Sequence, residues 1–380
     1  MSSGRLRSRA WRIAGAALGV ALAGTAVGVA HHRRTIAARR GAGDRVPLGS
    51  LRSTALTVVT PDGVPLHVEV DEYAGGSLDP ALDPTPGGRP GAAARDAASG
   101  EAAPPLTVVF VHGYALSLDC WHFQRAGYRG LVRSVYYDQR SHGRSGRSDR
   151  EHSTVDQLGA DLAQVLHEVV PEGPVVLVGH SMGGMTIVAL AEQHPELFGD
   201  KVVGVGLVAT TAGRLDVGRI LLPFAPARLS SRVAGRTVRV LSRGHIGVDW
   251  VRRAGASVAE VATDLFAFGG EVPSSYVRFV DEMLSATPFQ VLAAFFPSIS
   301  DLDKVDAVHV LERVPTTIVC GTDDRLTPFS HSEDLHDRIA GSRLLEVDGA
   351  GHMVIMESHE QVNAELDQLL AAAAERVARR

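Results

Sequence analysis

The stretch Val176–Met185 reads VLVGHSMGGM: an apolar run ends in glycine, a serine follows two residues on, and two more glycines stand close behind it. A serine hydroxyl is a weak nucleophile until a base takes its proton. Gly179-His180-Ser181-Met182-Gly183 is a G-x-S-x-G set after an apolar run and before a helical one. That is the context of a strand-to-helix turn that holds the serine clear of the fold. Side chains two positions either side of the serine would collide in so tight a turn, and Gly179 and Gly183 avoid this. The following helix aims its first N–H groups at the same point.

The serine needs a base, an acid behind the base and donors for a developing oxyanion. Of the sixteen histidines, His352 is preferred. It lies in DGAGHMVIME, a glycine-rich loop directly after the last apolar run, at the sheet edge where Ser181 is expected. His331, His336 and His359 fall on predicted helices. The acid follows TTIVC in GTDDRLTP, where Asp323 and Asp324 could each accept the imidazole N–H. The oxyanion donors are the N–H of Met182, next after the nucleophile, and the N–H of Tyr114 in FVHGYAL.

These residues sit at the ends of short apolar runs. LTVVFVHG (106–113), VRSVYYD (132–138), GPVVLVGH (173–180), KVVGVGLVAT (201–210), TTIVCGT (316–322) and SRLLEVDG (342–349) read as strands. The stretch 53–73 reads as two more around Pro61-Asp62-Gly63. Between them, 153–170 places Val155, Leu158, Leu162, Val165, Leu166 and Val169 on one helical face, with Ser153 as its N-cap. Further helices follow Ser181 and close the chain. Apolar strands alternating with helices predict an α/β fold: a mostly parallel sheet with helices on both faces. The core is assigned to 53–210 and 305–376. Residues 211–304 break the rhythm with amphipathic helical segments and read as a helical cap. Residues 74–105, rich in Gly, Pro, Ala and Asp, read as a disordered loop.

Composition narrows the function. The formal net charge is −5, but residues 1–45 hold nine arginines against one aspartate, so the rest is acidic. An acidic body argues against nucleic-acid binding. Two cysteines 200 residues apart make no disulfide framework. Zinc spacing and a phosphate loop are both lacking, so neither metal nor cofactor is expected. Ile13–Ala30 is 18 residues without a charge. As a helix it would span roughly 27 Å, near the ~30 Å hydrocarbon core. With a basic block after it, a membrane anchor is preferred to a cleaved signal peptide. Arginines flank the segment almost equally, and an extracytoplasmic catalytic domain is narrowly preferred.

In order along the chain, HGY, DQRSHGRS, GHSMGG, the helical insertion, GTDDRLTP and GAGHMVIME resemble the α/β-hydrolase fold family, in its cap-bearing esterase, lipase and epoxide-hydrolase-like branch. The resemblance covers about 53–374. Its G-x-x-D-x-x-x-P pattern falls on Gly321, Asp324 and Pro328, which selects Asp324 over Asp323. Ser141 stands where the family usually has glycine, and Asp138 and Arg140 are expected to be structural. Proline often follows two residues after the glutamate matching Glu357; here the residue is His359. Serine rather than aspartate as nucleophile implies an acyl-enzyme: hydrolysis of an ester or thioester through Ser181, His352 and Asp324. A perhydrolase or haloperoxidase-like enzyme, an acyltransferase and a non-catalytic binding protein are the alternatives. Leu221, Leu222, Phe224, Phe266, Phe268, Phe295 and Phe296 of the cap suit a small-molecule acyl ester, although most are expected to bury the cap on the body.

Overall fold

The computed structural model describes residues 35–36, 38–39, 46–74, 106–213, 215 and 263–380. The predicted anchor helix at 13–30, residues 75–105 of the predicted loop, and Leu221, Leu222 and Phe224 lie outside them.

All eight predicted strands form, and they join one sheet: β1 (Ala55–Val59), β2 (Pro65–Asp71), β3 (Thr107–Val111), β4 (Arg133–Tyr137), β5 (Val175–His180), β6 (Val202–Val208), β7 (Thr316–Gly321) and β8 (Arg343–Val347). Their spatial order is β1-β2-β4-β3-β5-β6-β7-β8. β1 and β2 pair antiparallel around the predicted turn, and β2 runs antiparallel to β4. All other pairs are parallel. The direction of chain progress reverses between β3 and β5. Such a switch point opens a crevice beyond the carboxyl ends of the two strands.

The apolar runs are continuous because both sheet faces are covered. Val108, Phe110, Val176 and Val178 enter one buried cluster, while Val109, Val111, Val175 and Leu177 enter the other. This is the two-residue alternation of a strand with helices on each side. The first face buries Val362, Leu366 and Leu369 from the closing helix (His359–Ala378). The second buries Leu162, Val165 and Leu166 from helix Val155–Val169 and Ile187, Val188 and Leu190 from helix Met182–Gln193.

The N-cap of Val155–Val169 is Thr154, not the predicted Ser153: the Thr154 hydroxyl accepts from the Gln157 N–H at 3.1 Å. The Ser153 hydroxyl is turned to the Asp149 carbonyl at 2.6 Å instead.

Of the insertion, residues 211–213, 215 and 263–304 are described, and the last stretch carries helices Ser274–Ala286 and Phe289–Ser300. Phe289–Ser300 lies over the helix after the serine, where Phe295 is buried with Met182, Met185, Val155 and Leu158. Phe268 is buried in the same cluster as Trp121 and Met353, so it holds the cap to the body. Phe266 and Phe296 are half-buried. Among the described residues no single helix is long and apolar enough to cross a membrane.

Candidate active site

Ser181 occupies the turn between β5 and helix Met182–Gln193 with φ 52° and ψ −120°. That backbone is costly for any residue with a side chain, on the order of 1–3 kcal/mol. Crowding around the turn explains the flanking glycines. A Cβ at Gly179 would lie 2.5 Å from the Gly183 carbonyl carbon, and one at Gly183 would lie 2.0 Å from the Val111 oxygen. The turn is pinned from β6: the Ser181 N–H donates to the Val208 carbonyl at 2.9 Å, and the Thr210 hydroxyl to the Ser181 carbonyl at 2.6 Å.

Among the described residues, the non-glycine residues at positive φ are Ala115, Ser141, Ser181 and Ala209. Each lies just past the carboxyl end of β3, β4, β5 or β6, so backbone strain is gathered along one sheet edge. The φ of 66° at Ser141 gives the physical reason for glycine at this position in the resembling motif.

The loops after β7 and β8 bring the predicted acid and base to this edge. His352 Nε2 lies 2.9 Å from Ser181 Oγ, and His352 Nδ1 lies 2.8 Å from Asp324 Oδ2. Asp324 is buried and Asp323 is exposed. The remaining acceptor sites of Asp324 are filled: Oδ1 accepts from the N–H groups of Leu326 and Thr327 at 2.8 and 2.9 Å. Oδ2 accepts from the Thr327 hydroxyl at 2.8 Å. Burial alone would raise this carboxyl, but the His352 imidazole and these hydrogen bonds outweigh burial and hold it below the usual carboxylate value. With the carboxylate ionised, the proton sits on Nδ1 and the Nε2 lone pair faces the serine.

Tyr114 and Met182 also come together. Val111 of β3 pairs with Gly179 of β5, so residue 114 follows one strand as residue 182 follows its neighbour. Among the described residues neither N–H has a hydrogen-bond acceptor. The Tyr114 hydroxyl donates to the Leu292 carbonyl of the cap at 2.5 Å, and the Thr287 hydroxyl to the Ala115 carbonyl at 3.1 Å. The donor loop is thus fastened under the cap.

Asp138 and Arg140 support this edge. Asp138 accepts from the N–H groups of Leu118 and Arg144, and Arg140 pairs with Asp62 and Asp161. Sequence reasoning missed a second network. His112 Nε2 accepts from the Gln139 N–H at 2.9 Å, the Gln139 side-chain amide donates to the His112 carbonyl at 2.6 Å, and the Thr186 hydroxyl donates to Gln139 Oε1 at 2.9 Å. It ties the loop after β3 to the helix after Ser181. The signal was the histidine adjoining Gly113 in HGY. The His359 ring stacks on Phe123 with centroids 4.0 Å apart.

A sequence profile described as the alpha/beta hydrolase family matches residues 108–365. The chain is 26% identical to a non-heme chloroperoxidase of Streptomyces lividans, over 69% of this chain and 90% of that protein. It is 26% identical to a monoacylglycerol lipase of Mycolicibacterium smegmatis, over 68% of this chain and 85% of that protein. Among solved structures it is similar to a thermophilic esterase from Thermogutta terrifontis, with a TM-score of 0.58 at 21% identity, over 84% of this chain and 99% of that one. At that identity the likeness speaks for the fold.

Proposed function

The chain belongs to the alpha/beta hydrolase family, and from that premise we propose that it cleaves carboxylic esters or thioesters through an acyl-serine intermediate. The observation that carries the reading is the unbroken relay from Ser181 Oγ through His352 to Asp324, with contacts of 2.9 and 2.8 Å. His352 Nε2 takes the serine proton as Oγ bonds to the substrate carbonyl carbon. The carbonyl oxygen becomes an oxyanion between the N–H groups of Tyr114 and Met182. The bond to the leaving alcohol or thiol then breaks, and Nε2–H returns its proton to that group. Water repeats the steps in reverse roles, releasing the acid and restoring Ser181. Asp324 stays ionised and steadies the imidazolium. Helix Phe289–Ser300 lies over the start of the helix after Ser181, where Phe295 packs on Met182 and fixes the cap above the site.

A fluorophosphonate probe and a series of p-nitrophenyl esters of rising chain length test the reading. The wild type is expected to label at one serine. Ser181→Ala should abolish labelling and lower turnover at least ~10³-fold. A labelled or near-normal Ser181→Ala protein overturns the assignment. The similarity to a chloroperoxidase favours a second reading, in which hydrogen peroxide replaces water in the second half-reaction and the product is a peracid. Peracid formation outpacing hydrolysis at equal nucleophile concentration would make that the main activity.

We further propose that Ile13–Ala30 anchors the chain in a membrane, with the catalytic domain on the extracytoplasmic side. The residues after it tie that end of the chain to the catalytic domain. Ile36 is fully buried, and Arg39 pairs with Asp264 at 2.6 Å. Asp264 begins a strap that crosses the loops bearing Asp324 and His352: Arg325 donates to the Leu265 carbonyl, and the Met353 N–H to the Ala267 carbonyl. About six residues separate Ala30 from Ile36, a reach of at most ~21 Å. An anchor there would keep the reacting edge of the sheet near the bilayer.

A further inference from the structure

The loop carrying His352 leaves β8 and reaches past β7 and β6 to the serine on β5. Backbone alone does not fix so long a reach, and the structure shows what does. His180, the residue before the nucleophile, donates its Nε2–H to the His352 carbonyl at 2.9 Å. Its ring lies 4.9 Å from the His352 ring. On the other side of the same residue, Glu357 Oε1 accepts from the Gly351 N–H at 2.8 Å while its Oε2 accepts from the Gly269 N–H of the strap at 2.9 Å. Strap and loop touch backbone to backbone: a Cβ at Gly351 would lie 2.3 Å from the Gly269 nitrogen.

We propose that His180 is a positioning residue for His352, gripping its carbonyl from the nucleophile turn while Glu357 grips the preceding peptide from the opposite side. The inference rests on the serine-hydrolase reading of the site. His180 is suited to this task and not to that of a base. Its Nε2 proton is committed to a carbonyl, and Nδ1 is buried with no hydrogen-bond partner among the described residues, 2.9 Å from where a Gly113 Cβ would stand. Complete burial pushes its pKa down to about 3, so it stays neutral while His352 cycles through its charged form. A second imidazolium at this distance would oppose the one the reaction needs. His180 thus contributes a fixed donor and no charge.

The test compares His180→Gln, His180→Asn and His180→Phe with the wild type in the full chain, measuring kcat and KM for an ester across pH. A glutamine amide reaches where Nε2 stood, whereas an asparagine amide reaches only as far as Nδ1. We expect His180→Phe to lower kcat on the order of 10²-fold, the loss that a 1 Å misplacement can cause, with KM changed less than about threefold. Glu357→Gln is measured in parallel and should lower kcat with the same sparing of KM. His180→Gln should recover at least ~10-fold over His180→Asn. Wild-type kcat in the Phe and Asn variants, or Gln no better than Asn, overturns the proposal. If the Phe variant does not fold, the Gln–Asn comparison decides alone. A wild type that fails to label with fluorophosphonate overturns the serine-hydrolase reading itself, and a labelled wild type with indifferent variants overturns this inference only.

Discussion

Replacing Asp324 by asparagine tests the relay with the smallest change of shape the site allows. The amide is isosteric, and its Oδ1 can keep the N–H groups of Leu326 and Thr327 at 2.8 and 2.9 Å, so the loop should hold its shape. The change falls on Oδ2, which faces His352 Nδ1 at 2.8 Å and also accepts from the Thr327 hydroxyl at 2.8 Å, a hydroxyl that can turn to accept from the amide instead. An amide NH2 there donates to Nδ1 and drives the ring proton to Nε2. Nε2 then meets Ser181 Oγ at 2.9 Å as a donor and no longer as a base. The negative charge opposite the imidazolium is lost as well, worth about 4 kcal/mol at ~4 Å and an effective dielectric of ~20. Charge and tautomer together should cost on the order of 10⁴-fold, about 5.4 kcal/mol of transition-state stabilisation, the loss known for the matching change in a serine protease. Asp323 is the internal control, being exposed and joined to the histidine loop by its backbone N–H to the Ala350 carbonyl at 3.0 Å. Asp323→Asn should stay within about threefold of wild type, since no relay contact is touched. The assay is kcat/KM on one p-nitrophenyl ester, with the melting temperature of each variant recorded. A folded Asp324→Asn enzyme within tenfold of wild type, or a larger loss at Asp323, would refute the assignment of the acid.

Three further outcomes follow from strain, burial and the anchor. Burial pushes His112 down to about 4 and His142 and His180 down to about 3. Below pH ~6.5 the unfolded chain therefore binds protons that the folded chain does not, and unfolding free energy should fall as pH drops from ~6.5 toward ~4, by up to about 1.4 kcal/mol per unit for each histidine. The raised carboxyls of Asp138, Asp161 and Glu357 offset part of this, and a flat or rising denaturation midpoint over that range would count against neutral buried histidines. With Ser181 at φ 52°, Ser181→Gly should be more stable than Ser181→Ala by about 1 kcal/mol, the reverse of the order in a helix; equal midpoints in urea would remove the strain argument. The full chain should stay uncleaved in membranes washed with alkaline carbonate, and a mature form starting near His31 in the medium, or recovery in the cytosolic fraction, overturns the anchor.

The relay was legible because each member stands in the first loop after an apolar run: Ser181 after β5, Asp324 after β7, His352 after β8. Parallel strands end on the same edge, so a local reading of where runs stop already groups these side chains. What escaped depends on partners distant in sequence. Periodicity carries no information about which strands pair, so the place of β4 between β2 and β3 could not be read. Ser153 and Thr154 are equivalent caps by chemistry, and the choice falls to Thr154 because the Asp149 carbonyl engages Ser153. The grip on His352 was hidden for the same reason. His180 meets a backbone carbonyl 172 residues away, and one Glu357 oxygen meets a glycine N–H 88 residues before it. A backbone group accepts or donates whatever its residue type, so neither partner leaves a mark in the sequence. Motifs thus record the residues whose chemistry is irreplaceable, while those that hold them in place are found only where the chain crosses itself.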